Sequence, residues 1–220
     1  MTPSPAPQIA SQATKDRILD AAELLFARHG FDAASIRMIA STARVNLAAI
    51  NYHFQSKEAL MHAVYARRVG PINERRIQLL HQYLGAVGDW PLEPEPILEA
   101  FSQPVIEVLE QFPHAPLLMV RMLYLQDRET FRQIFESLFQ TVGMQYLQAL
   151  SRALPHLSPN ELFLRMQFFL GSFLHAMAGS EAMRTIASGR FQPPSQREII
   201  RQLIHYTAAG LRASALEDQS

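Results

Sequence analysis

Residues 35–57 read SIRMIASTARVNLAAINYHFQSK, and this stretch decides the fold. Ile36, Ile39 and Ala40 form the apolar side of a short helix at helical spacing. Ser35 is its natural N-cap, because a serine hydroxyl accepts from a free backbone N–H of the first turn. Val45 closes a tight turn, and Asn46 caps a second short helix. In that helix Leu47 and Ile50 can point inward with Phe54, while Ala48, Ala49, Asn51, Tyr52 and His53 include the outward side. Small and polar residues on the outside suit a recognition helix, which lies in a major groove about 12 Å wide. Spacing alone favours an ordinary helical hairpin, so the surrounding sequence must decide.

Upstream, Thr14 can cap a helix over Lys15–His29, with Ile18, Ala22, Leu25 and Phe26 on one face. Gly30 ends it, since glycine tolerates the left-handed conformation, and Phe31 packs back. Downstream, Ser56 caps a helix running from Lys57 to about Tyr83 through Leu60, Val64, Val69, Ile72 and Ile77. Gly70-Pro71 lies inside it. Proline removes one helical hydrogen bond and crowds the preceding turn, so a kink or break is expected there.

The whole chain has 220 residues, 48% of them hydrophobic, enough for one or two domains with a sizeable core. Its formal net charge is zero. The charge is unevenly spread: through Arg76 there are 10 Lys+Arg against 6 Asp+Glu, and beyond it 10 against 14. A basic amino-terminal third on an acidic body suggests that one end meets a polyanion. With no cysteine, disulfides, thiolate metal sites and cysteine nucleophiles are excluded. No apolar run approaches the ~20 residues that span a bilayer. The first residues, MTPSPAPQIASQAT, lack the basic and apolar regions of a secretory signal and read as a mobile arm. A cytoplasmic location is expected.

The segments ILDAAELLFARHGF, SIRMIA and ARVNLAAINYHFQSKEAL together resemble the amino-terminal DNA-binding domain of the TetR family of bacterial transcriptional regulators. The resemblance covers Arg17 through Leu60; the rest of the chain matches in helical character and length. Two positions depart from the family pattern. Arg44 stands where the family usually has glycine in the turn; there either the turn differs or a non-glycine residue is held left-handed, at roughly 1 kcal/mol. Asn51 stands where the family usually has tyrosine. The NLAAINYHF form resembles a branch that includes the PsrA-type regulators, which respond to long-chain fatty acids.

Phosphate contacts set register, and base-edge contacts set sequence preference. Ser35, Arg37, Arg44, Tyr52, His53 and Lys57 are the phosphate candidates, and Leu47, Ala48, Ala49 and Asn51 the base-edge candidates, with Asn46 at the start of the helix. Tyr52 and Phe54 can instead hold the three helices together, His53 can bond a neighbouring backbone group, and Leu47 can be shared with the core. The resemblance implies a homodimer on double-stranded operator DNA, docking on half-sites one helical turn or more apart.

The domain reading is an arm over 1–13, a helix-turn-helix domain over 14–56, and a helical ligand-binding and dimerisation domain over 57–220 that includes the elbow helix. GAVGDWPLEPEP, residues 85–96, marks a turn-rich break. Helices follow from Pro96 to Phe112, Leu117 to Gln126, Arg128 to Leu154, Asn160 to Ile186 and Ser195 to Ala213. No period-two alternation of useful length appears, so the fold class is all-α.

The helix from Asn160 is apolar on two stripes, one with Leu162, Met166, Phe169, Phe173 and Ala176, the other with Phe163, Leu170, Leu174 and Met177. Such a helix needs partners on two sides. With Ile199, Leu203, Tyr206, Gly210 and Ala213 of the last helix it can form half of a four-helix dimer interface, or an ordinary monomeric core. Phe101, Val105, Leu109, Met119, Met122, Phe135, Phe139, Phe169 and Phe173 are candidates to line a pocket for a hydrophobic small-molecule effector, and Leu123, Leu138 and Val142 accompany them; most can equally be core. Arg121 can hold an anionic head group, although a salt bridge to Glu107, Glu110 or Asp127 accounts for it more simply. His175 is treated as a core residue.

The sequence thus points to a ligand-responsive homodimeric repressor. The resemblance to the PsrA-type branch, with the apolar body, implies a hydrophobic effector of the long-chain fatty acid or acyl-CoA class. The rival is a DNA-localised protein-interaction module without a small ligand. An enzyme is disfavoured, as no HExxH, Gly-rich phosphate loop or nucleophile motif occurs, and no cofactor or metal is implied.

Overall fold

The computed structural model describes residues 5–111, 128–178, 190 and 194–215. Among them every regular element is a helix: α1 Pro5–His29, α2 Ile36–Ala43, α3 Leu47–Phe54, α4 Lys57–Val87, α5 Pro94–Gln111, α6 Arg128–Ala153, α7 Pro159–Ala178 and α8 Gln196–Arg212. The all-α expectation therefore holds. The chain divides into two compact units, Met1–Gly70 with Leu117–Leu138 and Pro71–Pro116 with Phe139–Ser220.

In the first unit α1, α2 and α3 pack on one another. Ile18, Ala22, Leu25 and Phe26 of α1 are buried, as their spacing requires, together with Ile39, Ala40 and Ala43 of α2 and Ile50 and Phe54 of α3. Gly30, at φ 81°, ends α1, and Phe31 returns to lie 5.6 Å from the Phe26 ring. Helix α1 starts at Pro5 rather than near Lys15, so residues 5–13 of the expected arm are helical. Proline in a first turn forfeits no helical bond, because those N–H groups have no intrahelical partner.

A polar clamp joins α1 to α4. Glu23 is 7% exposed and receives Arg67 Nη2 at 2.6 Å and Arg68 Nε at 2.9 Å. Arg67 also reaches Asp20 at 2.7 Å. Glu23 thus bridges two half-buried cations, and Asp20 supplies the second negative charge. Helix α4 runs through Pro71 without a break; the boundary between the units falls at Gly70–Pro71. A proline removes only one bond, and the buried Val69 and Ile72 hold the helix on either side of it.

The second unit has its own core. Leu80 of α4, Ile97, Leu98 and Phe101 of α5, Tyr146 and Leu150 of α6, Leu162, Met166, Phe169 and Phe173 of α7, and Ile200, Ile204 and Leu211 of α8 form one buried cluster. Helix α8 packs on α5 and α7. Helix α5 begins at Pro94 rather than Pro96, with Pro94 at the position that tolerates proline. Ser158 and Ser195 cap α7 and α8 through the Glu161 and Glu198 amides. The expected helix over Leu117–Gln126 and the end of the one over Asn160–Ile186 lie outside the described residues.

Replacing Glu23 by alanine removes the buried carboxylate that Arg67 and Arg68 share and leaves the Asp20 contact of Arg67 in place. Guanidinium chloride unfolding of the E23A variant is expected to show a loss of about 3 kcal/mol, and an unchanged midpoint would remove the clamp from the account.

Candidate nucleic-acid interface

Helices α2 and α3 are joined by a turn whose chemistry is local and fully assigned. Ser35 Oγ accepts from the Met38 amide at 3.2 Å, and Asn46 Oδ1 accepts from the Ala49 amide at 2.8 Å. Arg44 sits at φ 55°, ψ 48°. Its amide donates to the Ser41 carbonyl, and the Val45 amide to the Ala40 carbonyl at 3.0 Å. This is a Schellman end, normally built with glycine at the left-handed residue. The turn therefore keeps the left-handed conformation, with arginine carrying the strain.

A second strained residue closes α3. Gln55 has φ 63° and ψ −43°, and the Ser56 amide donates across it to the Phe54 carbonyl at 2.6 Å. That is a γ-turn of the rare positive-φ kind. Arg44 and Gln55 are the two non-glycine residues of positive φ among the described residues, and they flank α3. Ser56 then caps α4, accepting from the Ala59 amide at 3.0 Å.

Between these turns α3 presents one face inward and one outward. Ile50 and Phe54 are buried at 2% and 6%, whereas Tyr52 is 80% exposed. Ala48 and Asn51 are exposed, and Ala49 and His53 half-buried. Leu47 is 43% exposed; the expectation that it points inward is corrected. It opens the first turn just after the cap, and Ile50 and Phe54, four residues apart, already fill the inner face. His53 lies edge-on to the Tyr52 ring at 5.2 Å and tilted toward Phe54 at 6.1 Å. Arg37 and Arg44 are exposed. Lys57 is partly engaged: its Nζ donates to the Asp32 carbonyl at 3.3 Å and stands 4.3 Å from the Phe31 ring centre. The structure thus gathers Arg37, Arg44, Asn46, Leu47, Ala48, Asn51 and Tyr52 on or beside two short helices with exposed side chains. Ser35 and Asn46 spend their side-chain acceptors on caps.

The residues expected to line an effector pocket fare differently. Phe101, Phe169 and Phe173 come together, with ring centres 5.8–6.0 Å apart, and Tyr146 meets Phe101 edge-on at 5.3 Å. Val105 and Phe139 pack against this cluster, and Val142 is part of it. Phe135 is 39% exposed and belongs to the other unit, so it is not part of the cluster. Met119, Arg121, Met122 and Leu123 lie outside the described residues, as does the side chain of Leu109. An open groove of about 420 Å³ lies elsewhere, lined by Glu95, Glu99, Arg201, Gln202, Ile204 and His205. His175 is exposed rather than in the core.

Two family models match the chain. "Bacterial regulatory proteins, tetR family" covers residues 18–64, and "Tetracyclin repressor-like, C-terminal domain" covers residues 99–210. The chain belongs to the TetR family of transcriptional regulators. It is thus a DNA-binding regulator, and the matched families and relatives are not enzymes. The chain is 47% identical over 49 residues to the probable HTH-type transcriptional regulator YttP of Bacillus subtilis, which is 22% of this chain and 24% of that protein. It is 39% identical over 57 residues to the HTH-type transcriptional regulator UidR of Escherichia coli, 26% of this chain and 29% of that protein. The match therefore spans under a third of the length of either curated relative. Among solved structures, the fatty acid degradation regulator FadR from Bacillus halodurans superposes with a TM-score of 0.64 at 15% identity, covering 90% of this chain and 99% of that one. This likeness is one of fold. No described helix is long and apolar enough to cross a membrane.

Glycine at position 44 removes the left-handed penalty of a Cβ. The Arg44→Gly variant is expected to gain up to about 1 kcal/mol in chemical unfolding. A loss of stability would mean that the Arg44 side chain holds the turn.

Proposed function

We propose that the chain is a homodimeric repressor that reads operator DNA with α3 and leaves it when a hydrophobic effector binds the second unit. The observation that carries the reading is the split of α3: Ile50 and Phe54 are buried while Leu47, Tyr52 and their neighbours Ala48 and Asn51 are exposed. An exposed face of small, amide and aromatic side chains suits base edges and phosphates, alanine meeting a thymine methyl and asparagine an adenine. Arg37, Arg44, Tyr52, His53 and Lys57 take the phosphate roles and fix register. Ser35 and Asn46 act through the helix starts they cap, where free N–H groups favour an anion.

The dimer half of the proposal is supported by α7 and α8. Phe163, Leu164 and Phe168 on α7 and Tyr206 on α8 are large apolar or aromatic side chains exposed at 62, 46, 64 and 76%. Gly171 and Gly210 are exposed near them in sequence, and apart from their own helix backbone and chain neighbours nothing lies within 4 Å of where a Cβ would stand, so another backbone can approach closely. Arg165 fixes the two helices together, donating to the carbonyls of Gly210, Ala213 and Ser214 at 2.6–2.9 Å and to Glu161. Apolar exposure of this kind marks an interaction surface.

The effector proposed is a long-chain fatty acid or acyl-CoA, in keeping with the resemblance to the PsrA-type branch and with the aromatic interior of the second unit. It must bind the form with low DNA affinity more tightly, or no release follows. A protein-interaction module without a small ligand is the second reading, favoured by the filled packing of Phe101, Phe169 and Phe173.

Fluorescence anisotropy with DNA from upstream of the protein's own gene, with and without palmitate and palmitoyl-CoA, tests the proposal. Tight, salt-sensitive binding released by one of them is expected; binding that neither compound alters would favour the interaction module. In the same assay Tyr52→Ala should weaken all operator variants alike, and Asn51→Ala should lose about 1–3 kcal/mol of discrimination at one base pair. Uniform weakening by both variants would take Asn51 out of base reading.

A further inference from the structure

Arg76 lies on the part of α4 that belongs to the second unit. It is 4% exposed. Its Nε donates to the Phe101 carbonyl at 2.8 Å and its Nη1 to Asn73 Oδ1 at 3.0 Å. The guanidinium carbon lies 3.7 Å from the centre of the Phe101 ring. The Tyr146 hydroxyl donates to the Arg76 carbonyl at 2.9 Å and so fixes the backbone beneath it.

No carboxylate among the described residues pairs with this cation. The contrast with other inward-drawn arginines is direct: Arg67 and Arg68 meet Glu23, and Arg165 meets Glu161. A buried guanidinium without a counter-charge is costly, because neutral acceptors and an aromatic face replace only part of its hydration. Burial pulls its pKa down to about 10, opposed by the nearby Tyr146 hydroxyl and by no acid. Even so it stays charged at neutral pH. Of the donors that a guanidinium carries, both on Nη2 and one on Nη1 have no acceptor among the described residues. Those are the paired donors that meet a carboxylate in a fork.

The surroundings define the rest of a ligand. Phe101 touches the guanidinium with its face and meets Tyr146, Phe169 and Phe173 with ring centres 5.3, 5.8 and 6.0 Å away. Met166 and Met177 lie in the same core, and methionine repacks readily around an inserted chain. A fixed positive charge at the margin of a deformable apolar cluster matches an amphiphile with an anionic head and an apolar tail.

We propose that Arg76 anchors the carboxylate of an acyl-chain effector and selects it over neutral and cationic amphiphiles of the same length. The proposal rests on the reading of the second unit as the effector-binding part. The alternative role for Arg76 is a clamp that ties α4 to α5 through the Phe101 carbonyl.

The test is isothermal titration of the full-length protein with dodecanoate, dodecanol and dodecylammonium, repeated on Arg76→Met and Arg76→Lys. Wild type is expected to bind dodecanoate roughly tenfold or more tighter than dodecanol, the gain of a charge-assisted bond, with dodecylammonium weakest. Arg76→Met should bind acid and alcohol alike, and Arg76→Lys should keep part of the preference. Equal wild-type affinities, no binding of any of the three, or a preference that survives in Arg76→Met would each overturn the anchor. Should Arg76→Met fail to fold, by circular dichroism, the wild-type ratio and Arg76→Lys decide; an undiminished ratio in Arg76→Lys would contradict the fork. Operator binding by wild type, followed separately, keeps the outcomes apart. Its loss strikes the regulator reading, whereas intact operator binding without carboxylate preference strikes Arg76 alone.

Discussion

Helix α3 spans Leu47–Phe54, and two turns of helix do not hold themselves in water. Isolated helices below ~12–15 residues are marginal even in good sequences. Its existence therefore depends on burial of Ile50 and Phe54 against α1 and α2, with help from the Asn46 cap. That constraint explains the turns on either side of α3. Arg44 accepts a left-handed backbone so that the chain can reverse on time, and Gln55 accepts a γ-turn so that α4 can begin at once. Strain at both ends is tolerated because the buried face over-determines the position of the helix. The exposed face is then free to carry side chains that contribute little to folding, which is what a readable surface needs.

The second unit solves a different problem with the same material. Helix α7 is apolar around most of its circumference. One stripe, Leu162, Met166, Phe169, Phe173 and Met177, is buried in the core, while Phe163, Leu164 and Phe168 remain outside. Hydrophobic burial alone would not leave such residues exposed. Arg165 fixes the end of α8 beside α7 through the Gly210, Ala213 and Ser214 carbonyls. The interior of that unit is mostly satisfied in its polar groups: Ser102 returns its hydroxyl to the Leu98 carbonyl at 2.8 Å, and Tyr146 finds the Arg76 carbonyl. Arg76 itself is the exception in charge, and the exception is where chemistry specific to this chain is to be sought.

Much of this was legible in the sequence because it is local. Ser35, Asn46, Ser56 and Ser158 each cap the helix that follows, and a cap depends on a few adjacent residues. The burial of Ile18, Ala22, Leu25, Phe26, Ile39 and Phe54 follows from periodicity. What stayed open depends on contacts far apart in the chain. Residue type lets Leu47 face either the core or a groove; its place just after the cap leaves it 43% exposed. Of the kink or break expected at Gly70-Pro71 from proline's local cost, the break does not occur, and buried Val69 and Ile72 stand on either side of it. Arg76 gave no signal beside Arg75, since nothing local says which of two adjacent arginines faces the core. The apolar run around Arg121, by contrast, makes that residue conspicuous in the sequence.

The exposed face of α3 is the surface proposed to lie against DNA. The absence of cysteine from the chain allows a direct measurement. A single thiol is introduced by Ala48→Cys, and separately at the exposed Gln148 of α6 by Gln148→Cys. The rate of alkylation by iodoacetamide is followed with and without a bound upstream DNA fragment. The account predicts that DNA protects the thiol at position 48 and leaves the one at position 148 unchanged. Alkylation at position 48 that proceeds at the same rate in the complex as in the free protein would contradict it.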